Sequence, residues 1–541
     1  MMHGPEVNRI GWVSTALVCA IAGHGAGASP ARWAVPPSPP ELVWPEEGIV
    51  DESPGEESIR AIAERMQRGA ELQRQALLAI DAGDHASAET LLRRQLELEP
   101  KNYVPLYNLA CVLAVRGAES EALEYLRRAI ECGFVNEFAL EHDPHLARLR
   151  GTAFYREVIA HWQSIIDARA EVHIEAARKK YGRQYLYDRD PELRVSYVVY
   201  APAQDAETMA AVREEVRRLT DWALSVVFTD LRDPPMNEKD PWAVVILPSP
   251  RDFARWAIMR YGPEAVQSTL HRIGGAYVHD DKELVAMDLG GTFRHELFHA
   301  LHWRSNSRLG RMHPIWVQEG LCSLVEDYDL DAQGVLRPTP SWRTNLAKRM
   351  DMAGNMMPLD QFCRLPRERF SGDRALAHYA QARSVFLYLH HRGVLGEWYR
   401  EFDRTFHSDP DGVSAFERVF EKPIAEVDRD FRDWLKGLPE VAEIRTDGRI
   451  LGLSASLGVR VDPGTGEGPV ITSVESRSDA RRAGLRSGDV ITAVNGRPTR
   501  DMSEYVRVMG DYAPNQVVQV SVRRGRLHLT MDVRLTSRRN N

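Results

Sequence analysis

The stretch 294-RHELFHALHW-303 decides how the centre of this chain is interpreted, because it carries His295 and His299 with Glu296 between them. Residues four apart project from one face of a helix, about one turn from each other. That spacing suits two imidazoles on one Zn²⁺ ion, with Zn–N distances of about 2.0–2.1 Å. Glu296 would lie beside the pair, where it can accept a proton from a metal-bound water. The same pattern also occurs on helices that bind no metal, so the residues around it determine which interpretation applies.

The surroundings include 313-HPIWVQEGLCSLVED-327, which offers a third ligand. A catalytic zinc site uses three protein ligands and leaves one position for water. The metzincin pattern fails here, because His302 and Ser305 stand where it requires glycine and histidine. Glu319 follows His299 by twenty residues, within Trp-Val-Gln-Glu-Gly. This arrangement resembles the gluzincin branch of the zinc peptidases, clan MA.

The resemblance implies a role for each of these residues. One Zn²⁺ would be bound by His295, His299 and Glu319, with Glu296 as the general base. Glu326 follows Glu319 by seven residues and is expected on the same helix face, where it would accept the other N–H of a ligand imidazole and orient the ring. The alternative for Glu326 is a solvated surface glutamate.

The segments 378–402 and 423–435 resemble the C-terminal half of the peptidase MA-like domain found in bacterial exported proteins. Gluzincins need a group that stabilises the oxyanion, often a tyrosine from this half. We expect Tyr379 in that role, ahead of His378; the alternative is that Tyr379 belongs to the core.

The resemblance to gluzincins also implies an edge strand that binds substrate backbone, and the segment that precedes the histidine helix is its expected equivalent. Its residues Gly274, Gly275 and Ala276 would lie beside the metal, with glycines that permit a close approach. His302 is expected to line the cleft or to support a ligand, and His313 is expected to be a loop residue.

A repeat of 34 residues relates Gly83 to Gly117 and Leu92 to Leu126, within the region 61–167. Small residues at packing positions and glycine between two amphipathic helices resemble the tetratricopeptide repeat. Such helix pairs stack around a shared core and leave a concave surface. The repeats therefore predict either a peptide-binding groove or a purely structural, docking role.

The run 478-SDARRAGLRSGDVITAVNG-496 resembles the PDZ domain, with a helix ending in Ala-Gly-Leu, a Gly-Asp turn and a strand ending in Asn-Gly. PDZ domains bind a peptide as an added strand and hold its terminal carboxylate in a backbone nest. The nest is expected at Leu457, Gly458 and Val459, or alternatively at 451–453.

The N-terminal residues 1–28 are typical of a secretory signal, with Arg9, an apolar run over 10–23 and small residues before Ser29. An uncleaved anchor is the alternative, although the apolar run is shorter than the roughly twenty residues of a membrane span. We expect an exported protein, periplasmic or extracellular. The formal net charge of −8 argues against a general nucleic-acid binder.

Four cysteines remain beyond the signal, and they are too few and too scattered for a disulfide scaffold. All four are expected to be buried apolar residues, with a disulfide between the first two as the alternative. They are Cys111, Cys132, Cys322 and Cys363.

The predicted fold class is multidomain: α-helical repeats, then an α+β gluzincin-type peptidase domain with a sheet half and a helical half, then a β-rich PDZ domain. The predicted boundaries are a signal peptide at 1–28, a proline-rich linker at 29–60, repeats at 61–167, the peptidase domain at 168–440 and the PDZ domain at 441–541.

The predicted function is an exported zinc metallopeptidase acting on peptides or proteins, with the two flanking modules recruiting substrate or partners. Two alternatives are an inactive peptidase-fold scaffold and a zinc hydrolase of a non-peptide amide.

Overall fold

The structure is a computed structural model that describes residues 59–134, 137–201, 206–229, 242–261, 274–278, 282–307, 313–406, 408–444, 449–464 and 467–538. The predicted signal peptide and nearly all of the predicted linker lie outside these residues.

The first part of the described chain is helical. Its helices are α1 (Ile59–Asp81), α2 (His85–Leu98), α3 (Tyr103–Arg116), α4 (Glu119–Glu131), α5 (Glu137–His142), α6 (Ala153–Ala160) and α7 (Trp162–Tyr181), with short 3₁₀ turns at Pro144–Leu146 and Gly182–Gln184.

The 34-residue periodicity corresponds to two helical hairpins, α1–α2 and α3–α4. Gly83 and Gly117 turn these hairpins at φ of 75° and 83°, a left-handed conformation that glycine adopts without steric cost. Leu92 and Leu126, which are equivalent in the repeat, are both fully buried in one shared core. The repeated residues are therefore those that shape the turns and fill the core.

Helix α7 connects this first core to the sheet that follows. Trp162 and Ile166, near its start, lie in the core of the helical hairpins, whereas Ile174 and Ala177 pack against the sheet. The predicted boundary after residue 167 thus falls within one continuous helix.

The middle region begins with a five-stranded mixed sheet in the order β1-β2-β3-β5-β4. Its strands are β1 (Tyr185–Asp190), β2 (Val195–Tyr200), β3 (Trp242–Ile246), β4 (Gly275–Val278) and β5 (Glu283–Ala286), with α8 (Ala206–Val226) and α9 (Pro250–Tyr261) between them. β2, β3 and β5 run parallel, and β4 lies antiparallel at the edge. β2 and β3 are rich in β-branched residues and almost completely buried, as is typical of parallel strands covered on both faces.

A helical half follows the sheet, with one short two-stranded ribbon. Its elements are α10 (Gly291–Ser307), α11 (Ile315–Leu324), β6 (Tyr328–Leu330), β7 (Leu336–Pro338), α12 (Trp342–Met352), α13 (Leu359–Phe362), α14 (Arg367–Phe370), α15 (Ala375–His391), α16 (Leu395–Thr405), α17 (Val413–Phe420) and α18 (Ile424–Gly437).

The C-terminal region is β-rich. Its elements are β8 (Glu443–Ile444), β9 (Ile450–Leu451), β10 (Ala455–Ser456), β11 (Val459–Asp462), β12 (Val470–Val474), α19 (Asp479–Ala483), β13 (Val490–Val494), β14 (Arg497–Pro498), α20 (Met502–Gly510), β15 (Val517–Arg524), β16 (Leu527–Arg534) and β17 (Thr536–Ser537). The main sheet has the order β11-β12-β13-β15-β16, with β14 paired to β13. Helix α19 and strand β13 lie where the pattern 478–496 predicts them.

None of the four described cysteines forms a disulfide, so the alternative of a disulfide between Cys111 and Cys132 is wrong. Three of the four are buried as expected, and Cys132 is partly exposed. Among the described helices, none is both long and apolar enough to cross a membrane.

Helix α11 packs closely on α15 because residue 320 is glycine. A Cβ atom built on Gly320 would overlap the ring of Phe386 and lie 3.2 Å from the Cβ of Ala382. Since both neighbours are fully buried, neither has open space to move into. The close contact holds α11 at a fixed depth in the core.

We therefore expect Gly320→Ala to lower the free energy of unfolding by about 1–3 kcal/mol, the usual cost of an overpacked core. The measurement is the midpoint of denaturant unfolding. The matched control is Gly437→Ala, at the exposed end of α18, where an added Cβ meets nothing within 4 Å. Equal midpoints for the two variants would contradict this account of the packing.

Candidate metal centre

Helices α10 and α11 bring three buried donor atoms together. Nε2 of His295 and Nε2 of His299 are 3.1 Å apart, and Oε2 of Glu319 lies 3.2 Å from the first and 3.5 Å from the second. Ligands held about 2.0–2.2 Å from a tetrahedral zinc ion are about 3.4 Å from one another. The three atoms therefore form a triangle with the dimensions of one face of such a site.

The chemistry of these donors also fits a cation. Two imidazole nitrogens that face each other across 3.1 Å repel unless a proton or a metal ion lies between them. Glu319 is fully buried, and among the described residues no hydrogen-bond partner reaches its Oε1. A buried carboxylate with an unpaired oxygen is costly unless a cation balances it. The residues present therefore fit a zinc ion.

The pKa values of these groups show how strongly they attract a positive charge. Burial opposes the charged imidazole, but hydrogen bonds to Glu319 and Glu326 raise the pKa of His295 to about 10. Burial likewise opposes the charged carboxylate, but His299 and His295 hold the pKa of Glu319 well below its usual range. A cation is thus favoured at this position.

The other nitrogen of His295 is held by Glu326, whose Oε1 lies 2.9 Å from Nδ1. Arg343 donates two hydrogen bonds to the same carboxylate, at 2.6 Å from Nε and 2.8 Å from Nη2. Burial raises the pKa of Glu326, but Arg343 and His295 together lower it to about 2. The expectation that Glu326 shares a helix face with Glu319 is wrong, because α11 ends at Leu324; Glu326 reaches His295 from the turn beyond.

Sequence reasoning missed Arg343, which no spacing relates to the histidine motif. It lies in the first turn of α12, between the two residues of a capping box, Ser341 and Thr344. Its guanidinium carbon lies 5.5 Å from the ring centroid of Tyr379. Arg343 therefore contacts both Glu326, which bonds His295, and Tyr379, whose ring stacks on that of His295.

Tyr379, expected to stabilise an oxyanion, lies next to the donor triangle. Its ring is stacked on that of His295 with a centroid distance of 6.3 Å, and the side chain is half-buried. The imidazole of His378 instead lies 2.8 Å from the carbonyl oxygen of Phe370, through Nδ1. Of the two candidates, the structure brings Tyr379 to the site.

Glu296 lies between the histidine helix and the edge strand β4. Its Oε2 accepts a hydrogen bond of 2.8 Å from the backbone N–H of Tyr277, and burial raises the pKa of its carboxyl. In an antiparallel edge strand, every second residue directs its N–H away from the sheet. The outer edge of β4 therefore faces Glu296.

The predicted substrate-binding residues Gly274, Gly275 and Ala276 lie at the start of this strand. Gly274 has a φ of 72°, and a Cβ atom on Gly275 would lie 3.1 Å from Cγ2 of Thr292 in α10. The glycines thus serve the backbone turn and the close packing of β4 on α10. The role of these residues in binding substrate stays a prediction.

Cys322 is a second residue that sequence reasoning missed as a candidate ligand. The donor atoms of His295, His299 and Cys322 all lie within 4.8 Å of one another. Cys322 follows Glu319 by three residues, so the spacing that places both on one face of α11 was visible in the sequence. We favour Glu319 as the third ligand because its oxygen is within 3.5 Å of both imidazoles.

His302 and His313 form a separate buried pair. Nε2 of His302 lies 2.9 Å from Nδ1 of His313, and the His302 ring stacks on Phe228 at 5.8 Å. His313 packs edge-on against Phe402 at 4.8 Å. His313 lies in the loop before α11, as expected, but its imidazole is buried among aromatic rings.

The predicted PDZ carboxylate nest precedes an edge strand. Leu457 is buried, Gly458 has a φ of 75°, and β11 begins at Val459 at the edge of the main sheet. The alternative position, 451–453, contains Gly452, whose Cβ would lie 2.8 Å from Cα of Ala442. That glycine packs against the chain instead of preceding the edge strand, so the geometry favours the first position.

Comparison with known proteins identifies the C-terminal region. Residues 455–535 match the PDZ domain family and form a PDZ domain. A "probable periplasmic serine endoprotease DegP-like" of Brucella suis is 33% identical over 70 residues, and the match covers 13% of this chain and 13% of that protein. Proteins of the same description from Brucella abortus and Brucella melitensis match equally.

Solved structures are similar over different parts of the chain. The PDZ domain of HtrA3 bound to a phage-derived ligand is 26% identical, with a TM-score of 0.14 and 15% of this chain and 86% of that one covered. An aminopeptidase N family protein from Idiomarina loihiensis is 14% identical, with a TM-score of 0.27 and 65% of this chain and 66% of that one covered.

The two candidates for the third ligand can be separated by substitution. We expect Glu319→Gln to weaken Zn²⁺ binding by at least about 100-fold, because the amide removes the charge that balances the cation. Cys322→Ser is the matched change on the same helix face and is expected to retain the affinity of the unchanged protein. The measurement is competition with a chromogenic chelator. The opposite order would make Cys322 the ligand.

Arg343 is expected to act on the metal through Glu326. Arg343→Gln should lower Zn²⁺ affinity by about 10–100-fold, the usual effect of losing a group that supports a ligand. The control is Arg349→Gln in the same helix, which removes a partly exposed ion pair with Glu443. The same chelator competition applies, and equal affinities for the two variants would argue against this role.

Proposed function

We propose that this chain is an exported zinc-dependent metallopeptidase, in which the helical hairpins and the PDZ domain recruit substrates or partner proteins. The observation that carries the proposal is the buried triangle of His295, His299 and Glu319 with Glu296 next to it. A structural metal site has no need of a carboxylate at the position of Glu296. A site that hydrolyses an amide does need one, as the group that moves the proton.

The chain's own residues supply the proton transfer and the positioning. A zinc ion bound by the three ligands would polarise a peptide carbonyl and make a water molecule more acidic. Glu296 accepts the proton of the attacking water and delivers it to the leaving amine nitrogen. Tyr379 is placed beside His295, where its hydroxyl can donate to the oxygen that gains negative charge.

The edge strand β4 supplies a place for the substrate backbone. Its outer edge faces Glu296, and the N–H of Tyr277 shows the direction in which its donors point. A peptide added along this edge would bring its carbonyl groups next to the donor triangle. Backbone pairing of this kind accepts many side chains, which suits a peptidase with several substrates.

Export is supported by the signal-like residues 1–28 and by the PDZ domain. The matching PDZ domains belong to proteins described as periplasmic endoproteases, although the match extends over 13% of each of them. A PDZ domain binds extended peptide ends, so it would deliver protein chains to the same molecule that cleaves them.

The deciding experiment compares two forms of the chain from Ser29 onward, each loaded with zinc: the unchanged protein and Glu296→Gln. Glutamine keeps the shape of the side chain but cannot accept the proton, so cleavage of a mixed peptide library should fall by about 10²–10⁴-fold while zinc is retained. Mass spectrometry identifies the cut positions. The matched control is Glu426→Gln, at an exposed glutamate of α18.

Three outcomes distinguish the proposed peptidase from the two alternative functions. Cleavage by the unchanged protein and the control, but not by Glu296→Gln, establishes the peptidase. Stoichiometric zinc without cleavage of peptides, but with hydrolysis of cell-envelope amides, indicates a hydrolase of a non-peptide amide. Zinc without either activity indicates an inactive scaffold.

A further inference from the structure

One carboxylate of the PDZ domain caps two helices from different parts of the chain. Asp501 precedes α20, and its Oδ1 accepts a hydrogen bond of 2.7 Å from the backbone N–H of Glu504 in that helix. Its Oδ2 accepts a hydrogen bond of 2.8 Å from the N–H of Gly291, the first residue of α10. The first N–H groups of a helix have no partner within the helix, and a carboxylate there stabilises it. The histidine helix thus takes its cap from the PDZ domain.

Glycine at positions 290 and 291 leaves room for the Asp501 carboxylate. A Cβ atom on Gly290 would overlap the side chain of Asp501, and one on Gly291 would lie 3.3 Å from the carbonyl oxygen of Glu326. Any larger residue at position 290 would push the carboxylate away from α10. Glycine at positions 290 and 291 therefore permits the close contact between Asp501 of the PDZ domain and the start of α10, which we call the joint.

A buried ion cluster extends the joint to the residue next to His295. Arg294 is fully buried, and its Nη1 lies 3.6 Å from Oε1 of Glu504. Arg500 pairs with the same Glu504 at 2.9 Å and donates to the hydroxyl of Tyr328 at 2.7 Å. A buried charge that loses its partner is strongly destabilised. Glu504 of the PDZ domain is therefore part of what keeps Arg294, and the helix that bears it, in place.

The same joint holds the segment that carries Glu326. Nε of Arg294 donates to the carbonyl oxygen of Glu326 at 3.0 Å. Two residues of the PDZ domain bind Asp329, Arg507 at 3.1 Å and Arg497 at 3.0 Å. Glu326 orients His295, so the PDZ domain contacts the helix that bears this ligand and, at Asp329, the strand that directly follows the turn of Glu326.

We infer that the PDZ domain is a fixed part of the metal site and that Asp501 and Glu504 are positioning residues for the histidine helix. A PDZ domain that only tethered substrates would need no buried contact with α10. Only the expected effects on zinc binding and on cleavage rest on the proposed function. The contacts between the PDZ domain and α10 do not depend on it.

The test uses the chain from Ser29 onward with Asp501→Ala, Asp501→Asn and a matched control, Ser478→Ala. Ser478 caps α19 within the same PDZ domain, since its Oγ accepts from the N–H of Arg481 at 3.2 Å. The control therefore removes a helix cap of that domain without touching the joint. Asparagine keeps one oxygen acceptor and is expected to restore part of what alanine removes.

The first readout is hydrogen exchange of the peptide segments 288–296 and 323–330, which needs neither metal nor activity. Asp501→Ala should speed exchange there about fivefold or more, the loss expected for a helix cap. The second readout is the affinity for Zn²⁺ alone, which should weaken by about tenfold as the ligands lose their support. Ser478→Ala should change neither, and Asp501→Asn should lie between.

Kinetics supply a third readout on any peptide that the unchanged protein cleaves. Asp501→Ala should lower kcat with little change in KM, because the ligand geometry is disturbed while the substrate edge of β4 is not. If Asp501→Ala fails to fold, Asp501→Asn replaces it, since the amide keeps the side chain's shape and one oxygen acceptor while it removes the charge.

The inference is overturned if exchange rises only within the PDZ domain and zinc affinity equals that of Ser478→Ala. Failure of the proposed function looks different, because the unchanged protein would then cleave nothing. In that case hydrogen exchange at 288–296 still decides whether Asp501 supports the helix.

Discussion

Three donor atoms on two helices meet within 3.5 Å, and much of the surrounding structure holds those helices against each other. Helix α10 presents two imidazoles from one face, and α11 presents a carboxylate that is fully buried. Burying such groups is costly unless a cation or a proton balances them. The packing of α11 on α15 through Gly320 fixes the position of that carboxylate. The chemistry open to the site follows from this enforced proximity.

The triangle is supported on two sides by contacts far apart in the sequence. On one side, Arg343 bonds Glu326, and Glu326 bonds Nδ1 of His295, the nitrogen that faces away from the donor triangle. On the other, Asp501 supplies the cap of α10 from a region that looks like an independent module. Charged groups that are buried and mutually paired resist displacement, because each one that moves leaves another unpaired. Such a network suits a site whose ligands must remain in place while a substrate passes.

Much of this could be predicted from local patterns. The spacing of His295 and His299 indicated one helix face, the 34-residue period located the two helical hairpins, and the PDZ signature located α19 and β13. Arg343 and the cap from Asp501 could not be predicted, because no spacing or motif relates them to the histidines. Glu326 was expected to contact a ligand, but for the wrong reason, since the helix ends two residues earlier.

The sequence by itself determined which residues share a face of an element, because helix and strand periodicities depend only on neighbours along the chain. It thereby placed His295 and His299 on one face of α10, with Glu296 next to them in the chain, and a carboxylate on the helix that follows. Only the tertiary structure decided which carboxylate oxygen meets the imidazoles, which arginine holds Glu326 and which domain caps α10. Those contacts join elements separated by up to about two hundred residues, and they arise from packing and burial that no local pattern encodes.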